Sequence, residues 1–212
     1  MIVFQKSKKI YVAIPKTGST SILSLSNYEY LPFPPKIYHS KSNETREILF
    51  SLDFDLRLFD KEEGFDGNKT RLIEEIDDFT IVAMVREPID RLKSLWIDIQ
   101  ENLHPSLTCY AKYDFIDFVK TIIRTDTKSL PVHAQPQYLF VGSPRFKKIY
   151  NHKNYSDIVA NLFPQLPSHV QIPRLRDSRN SPYRAHIETL NDNLISEVAA
   201  FYQKDYDLLK SS

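Results

Sequence analysis

The apolar residues of this chain follow two periods, and the switches between them divide it into elements. Residues 10–14 (IYVAI) and 79–85 (FTIVAMV) are near-continuous apolar runs rich in β-branched side chains, the pattern of strands covered on both faces. Helical spacing follows each run. Residues 15–19 form a turn, after which Thr20, Ser21, Ile22, Leu23 and Leu25 start a helix. Pro88 suits the first position of a second helix, because its φ is preset and it has no N–H to lose. From there Ile89, Leu92, Trp96, Ile99 and Leu103 recur at spacings of three and four and make one apolar stripe, with Arg91, Ser94 and Asp98 on the opposite side.

Further along, Phe115, Phe118, Val119 and Ile122 predict a core helix within residues 113–125. Ile187, Leu190, Leu194, Ile195, Val198 and Phe201 predict an amphipathic helix near the end of the chain. Residues 146–150 read as a strand, 155–162 as a helix, and 48–59 as a strand or the edge of one. Prolines force irregular paths through residues 31–43 and 130–142. Strands that alternate with helices predict an α/β fold, and a length of 212 residues suits one domain over residues 1–212.

Composition narrows the picture a little. The net charge is +1, so bulk electrostatics favours neither nucleic acid nor an acidic partner. Acids dominate between Asp60 and Asp78, whereas residues 145–184 hold eight Lys or Arg against Asp157 and Asp177, enough to hold an anion or to cover a solvated face. Cys109 is the only cysteine, so no intrachain disulfide can form. No run of about 18 apolar residues is present to span a bilayer, and the apolar start of the chain is too short for a signal peptide; the expected location is cytoplasmic. Asn43, Asn68 and Asn154 open N-x-[ST] matches that read as chance.

The chemistry is concentrated where the two strong strands end. Strand, tight turn and helix start make an anion cradle: free N–H groups of the first helical turn point into the loop, and the helix dipole favours negative charge there. Gly18 permits close approach, Lys16 adds a full positive charge, and Ser19, Thr20 and Ser21 add hydroxyl donors. The expected ligand is a phosphate or sulfate group. A Walker A loop places its lysine after the last glycine, but Lys16 precedes Gly18. That order argues against an ordinary ATP or GTP hydrolase.

The string IPKTGSTS, residues 14–21, resembles the loop with which sulfotransferases hold the 5′-phosphosulfate of 3′-phosphoadenosine 5′-phosphosulfate (PAPS), a motif written PKxGxT. VREPIDRLKSLW, residues 85–96, is similar to their 3′-phosphate motif, RxPxxRxxSxY, with Trp96 in the place of the tyrosine. The ending YQKDYDLL resembles the C-terminal ending of the same enzymes. Two motifs in the right order, about seventy residues apart, each closing a strand and opening a helix, are far more specific than either alone. The carbohydrate (Golgi-type) branch is the nearer one, although those enzymes carry a membrane anchor and several cysteines, whereas this sequence shows a single cysteine, Cys109, and no apolar run long enough to span a bilayer.

The resemblance implies a P-loop NTPase-like three-layer sandwich with a central, mostly parallel sheet. It also implies a PAPS-dependent enzyme that sulfates a hydroxyl or amine, with carbohydrates the expected acceptors, without a metal and without nucleic acid. By that resemblance Pro15, Lys16, Thr17, Gly18, Ser19, Thr20 and Ser21 hold the 5′ end, Arg86 and Ser94 hold the 3′-phosphate, and Arg91 supports the helix. Lys16 is expected to stabilise the leaving oxygen, and His39 to act as general base with His133 in reserve and Asp53 or Asp55 behind them. His133, Gln135 and Gln137, from the proline-rich segment HAQPQ, are expected to line the acceptor pocket. Two other classes compete: a P-loop phosphotransferase using ATP and Mg²⁺, and a nucleotide-binding protein without turnover.

Overall fold

The computed structural model describes residues 2–4, 8–19, 21–22, 54–55, 79–141, 146–164, 181–187 and 189–212. Thr20, His39, Asp53 and the basic residues Arg174, Arg176 and Arg179 lie outside the described residues.

A five-stranded sheet forms the centre, made of β1 (Ile2–Phe4), β2 (Lys9–Val12), β3 (Phe54–Asp55), β4 (Thr80–Val85) and β5 (Phe146–Asn151) in the order β3-β1-β2-β4-β5. The two strands expected from apolar runs are the middle of it. β2, β4 and β5 run parallel, with Lys9 opposite Thr80, Val12 opposite Ala83 and Val85 opposite Asn151. β1 pairs antiparallel with β2 and β3 antiparallel with β1, so one edge reverses direction. The short run at residues 2–4 gave no strand signal of its own; β3 falls inside the partly alternating segment expected at the edge.

Alternation along β4 sends its side chains into two separate cores. Val82 and Met84 join Tyr11, Tyr150 and the helix Tyr155–Leu162 through Ile158, Val159 and Leu162. Ala83 and Val85 join Ile14, Phe140 and Val141, with Leu208 and Leu209 packed against them. Helices thus cover both faces of the parallel strands, the layered α/β arrangement of the P-loop-like folds.

The third and largest core is helical. Helix α1 (Pro88–Gln100) contributes Leu92, Leu95, Trp96 and Ile99. Helix α2 (Phe115–Arg124) contributes Phe115, Phe118, Val119 and Ile122, all fully buried as its spacing required. Leu103 was expected on the α1 stripe, yet it is 40% exposed. The reason is local: Asn102 takes φ +55, Leu103 N–H bonds Asp98 O at 2.8 Å and Asn102 N–H bonds Ile99 O at 3.0 Å, a Schellman turn that stops the helix at Gln100.

Three more helices follow, α3 (Tyr138–Val141), α4 (Tyr155–Leu162) and α5 (Asp192–Phe201), and then α6 (Gln203–Lys210). The C-terminal stripe is therefore divided. Ile187 lies outside the helix, Asn191 caps α5 by accepting from Leu194 N–H at 2.9 Å, and Ile195 faces solvent at 38% exposure.

Candidate functional site

Because β2 and β4 are parallel neighbours, the turn after β2 and the start of α1 emerge side by side at the same sheet edge, where open α/β sheets gather their ligands. The turn is conformationally demanding. Lys16 sits at φ +67 and Gly18 at φ +88, the left-handed region. The backbone at φ +88 requires glycine, and a Cβ there would also stand 3.1 Å from Met84 Cε, tight contact with the end of a flexible side chain, and 3.5 Å from two atoms of the His152 ring. Thr17 is fully buried and its hydroxyl donates to Ile14 O at 2.9 Å, which ties the turn to the strand end. Ser21 N–H and Ile22 N–H close on Gly18 O at 3.0 and 3.3 Å, so the helix begins immediately after the glycine.

The second motif is fastened to the first by hydrogen bonds to main-chain carbonyls. Arg86 Nη1 donates to Lys16 O at 3.3 Å, and Arg91 Nε donates to Pro15 O at 3.0 Å. Arg91 is 1% exposed, and its other nitrogens donate to Gln135 O at 2.8 Å and His133 O at 3.0 Å. One planar cation therefore holds the anion loop and the proline-rich segment in a single arrangement. Burial lowers the Arg91 pKa, while Tyr202 and Asp205 act in the opposite sense.

Behind that segment lies a second tier. Arg86 N–H donates to Gln137 Oε1 at 2.8 Å and Gln137 Nε2 donates to Arg86 O at 2.7 Å, so the amide pairs with the arginine's main chain as a neighbouring strand would. Gln137 and Tyr138 N–H groups donate to the two oxygens of Asp205 at 2.8 and 2.9 Å. Tyr202 donates to Ala134 O at 2.7 Å and Tyr206 to Glu87 at 2.6 Å. Burial pushes the Asp205 carboxyl up from its ordinary range, against the pull of those N–H groups and of Arg91. The YQKDYDLL ending thus braces the site from behind.

A third group is ionic. The Lys16 ammonium donates to Asp98 Oδ2, and His104 Nε2 stands 3.3 Å from the same oxygen. The His104 and His133 rings face each other at 4.3 Å between centroids. The Lys16, Asp98 and His104 side chains retain only 10%, 3% and 15% of their exposure.

The structure brings together Pro15, Lys16, Thr17, Gly18, Ser19, Ser21 and Arg86 at one edge, with Ser94 buried on the α1 face that it shares with Arg91 and Asp98. That face was read as merely opposite to the apolar stripe; it is buried against the loop. His133 lies beside His104 at the cluster's rim. Gln137 is a correction. It is 0% exposed, with its amide committed to Arg86 and Asp205, and has no surface to offer an acceptor. Gln135 is half-buried, with its main-chain oxygen accepting from Arg91 and its amide donating to Leu130 O. Sequence reasoning missed Asp98 as a partner of Lys16, His104, and His152 beneath Gly18. The one available signal was the helical offset of four that puts Asp98 on the face of Ser94.

Among the described residues, no group of three or more His, Cys, Asp or Glu side chains could hold a metal ion, and no helix is long and apolar enough to cross a membrane. The sequence matches the model of one family, described as the sulfotransferase family, over residues 1–210. Comparison with curated proteins and with solved structures gave no match.

Proposed function

Because this chain belongs to the sulfotransferase family, we propose that it transfers a sulfuryl group from PAPS to a hydroxyl or amine of an acceptor, with a carbohydrate the favoured class. The observation that carries the donor assignment is the joining of the two motifs: Arg86 reaches the carbonyl of Lys16, and Arg91 that of Pro15. A nucleotide with phosphate groups at both ends suits such a pair of adjacent cation-bearing turns. An ordinary Walker site does not match it, since β4 runs into Arg86 rather than into an acid that could bind Mg²⁺.

When bound, PAPS supplies the sulfuryl group and leaves as adenosine 3′,5′-bisphosphate. The residues 15–19 loop, with its glycine at positive φ, suits the 5′ end, and Arg86 with Ser94 suits the 3′-phosphate. Lys16 donates to the oxygen on which negative charge develops, and a preorganised donor of this kind is worth about 10²–10³ in rate. An alcohol acceptor must lose its proton to a general base. His39 is the proposed base, and His133 the alternative. We also propose a cytoplasmic location and one domain over the whole chain.

The test is calorimetric titration with adenosine 3′,5′-bisphosphate beside ADP and ATP with Mg²⁺, for the wild type and Arg86→Ala. Selective binding of the bisphosphate that weakens in the variant, followed by turnover of PAPS with an acceptor, is the expected result. Preference for ATP with Mg²⁺, or indifference to the 3′-phosphate, overturns the reading; binding without turnover would leave a nucleotide-binding protein.

A further inference from the structure

The ionic cluster behind the loop has one carboxylate oxygen and two partners for it. Asp98 Oδ2 accepts from the Lys16 ammonium and faces His104 Nε2 at 3.3 Å, in a pocket where Asp98 keeps 3% of its side-chain exposure. Lys16 is also the one full positive charge within residues 15–19, the segment that forms the anion cradle. An anion of multiple charge in that cradle competes with Asp98 for the same ammonium. Once Lys16 turns to the anion, Asp98 is a buried carboxylate that has lost its cation, a strongly unfavourable state. The group already at the same oxygen is His104, and an imidazole becomes a cation by taking one proton.

We propose that His104 is the replacement counter-ion of Asp98: nucleotide binding draws Lys16 off the carboxylate, and His104 takes up a proton. The proposal rests on the reading of this edge as a nucleotide site. His104 is a positioning residue in it, acting through Asp98 on how freely Lys16 serves the ligand.

Among the described residues, the titratable groups around His104 include Asp98 from α1, Lys16 on the same carboxylate oxygen and His133 from the proline-rich segment. Asp98 favours the imidazolium, Lys16 opposes it while it remains on the carboxylate, and His133 opposes it only when itself protonated. Departure of Lys16 therefore raises the His104 pKa in the complex above that of the free protein. A proton held more tightly in the complex strengthens binding. The gain is complete below the free-state pKa and fades as pH rises through the pKa of the complex.

The experiment is titration with adenosine 3′,5′-bisphosphate at one pH in Pipes, Hepes and Tris, whose ionisation enthalpies differ, so that the slope of heat against buffer enthalpy counts protons. The bisphosphate's own phosphates titrate nearby, and the readout is therefore the difference between the wild type and His104→Gln. The wild type is expected to take up more protons, by up to about one, and to lose affinity with rising pH more steeply, by up to about tenfold per unit within the window. Asp98→Asn should abolish the difference in the same way. Equal proton counts in the wild type and His104→Gln overturn the proposal. Should neither variant fold, the His104 imidazole of the wild type, assigned through its backbone by NMR, must titrate at higher pH with nucleotide than without it; no upward shift overturns it equally. A wild type that does not bind the bisphosphate fails before any proton is counted, and that failure belongs to the nucleotide reading.

Discussion

Helix α1 is buried on two faces that are held by opposite means. One carries Leu92, Leu95, Trp96 and Ile99 into an apolar core, where contact is non-directional and scales with area. The other carries Arg91, Ser94 and Asp98 against the anion loop, where main-chain carbonyls and the Lys16 ammonium are met one by one. The apolar face decides that the helix docks. The polar face decides where the loop stands, because a hydrogen bond fails within a fraction of an ångström whereas a hydrophobic contact tolerates reshaping.

That contrast can be broken most severely at Arg91. Arg91→Met keeps the bulk but leaves the carbonyls of Pro15, His133 and Gln135 without their donor, and should cost about 3–5 kcal/mol in chemical denaturation together with a loss of bisphosphate affinity. Lys16→Ala comes next and moves a second quantity as well: kcat with PAPS should fall about 10²–10³-fold, and the denaturation midpoint should fall too, because Asp98 is left buried without its cation.

Asp205→Ala follows, removing the acceptor of two main-chain N–H groups for about 1–3 kcal/mol. Its sign with pH is informative. Because burial holds the folded Asp205 carboxyl above its ordinary range, its contribution is full below the unfolded pKa and is lost as pH rises through the raised one. The stability gap between the wild type and Asp205→Ala should therefore widen as denaturation is repeated at decreasing pH, and a gap that narrows would contradict the assignment. The smallest effect belongs to the apolar face: Leu92→Met should cost less than about 1.5 kcal/mol and leave bisphosphate affinity where it was. A large loss of affinity there would show that the two faces are not separable.

The same contrast explains what could be read from the sequence. Apolar periodicity is a local signal, so β2, β4, α1 and α2 were legible with bounds close to those observed, as was the anion loop between a strand and a helix. The polar network is written in long-range contacts. Arg91 meets Gln135 and His133 more than forty positions away, Gln137 meets Asp205 sixty-eight away, and Lys16 meets Asp98 eighty-two away. Nothing in the spacing of a glutamine predicts that its amide will pair with an arginine's main chain. The motif positions Arg86, Arg91 and Ser94 were visible by resemblance, yet Arg91 was expected only to support its helix and Asp98 was seen only as part of the polar side of an amphipathic helix, whereas both orient the loop.

The Schellman turn at Asn102 sets a limit on how this protein can be engineered or can diverge. It folds the chain back over the end of α1, so that His104, only six positions after Asp98, returns to that residue's carboxylate. An inserted residue between Gln100 and His104 would still be accommodated on an exposed helix end, and the apolar core would not register it. It would move the imidazole away from Asp98 all the same. Loop length at this one corner is therefore a coded quantity: a variant with a single added glycine should fold and melt much as the parent does, yet lose the acid–imidazole contact as surely as if the histidine had been replaced.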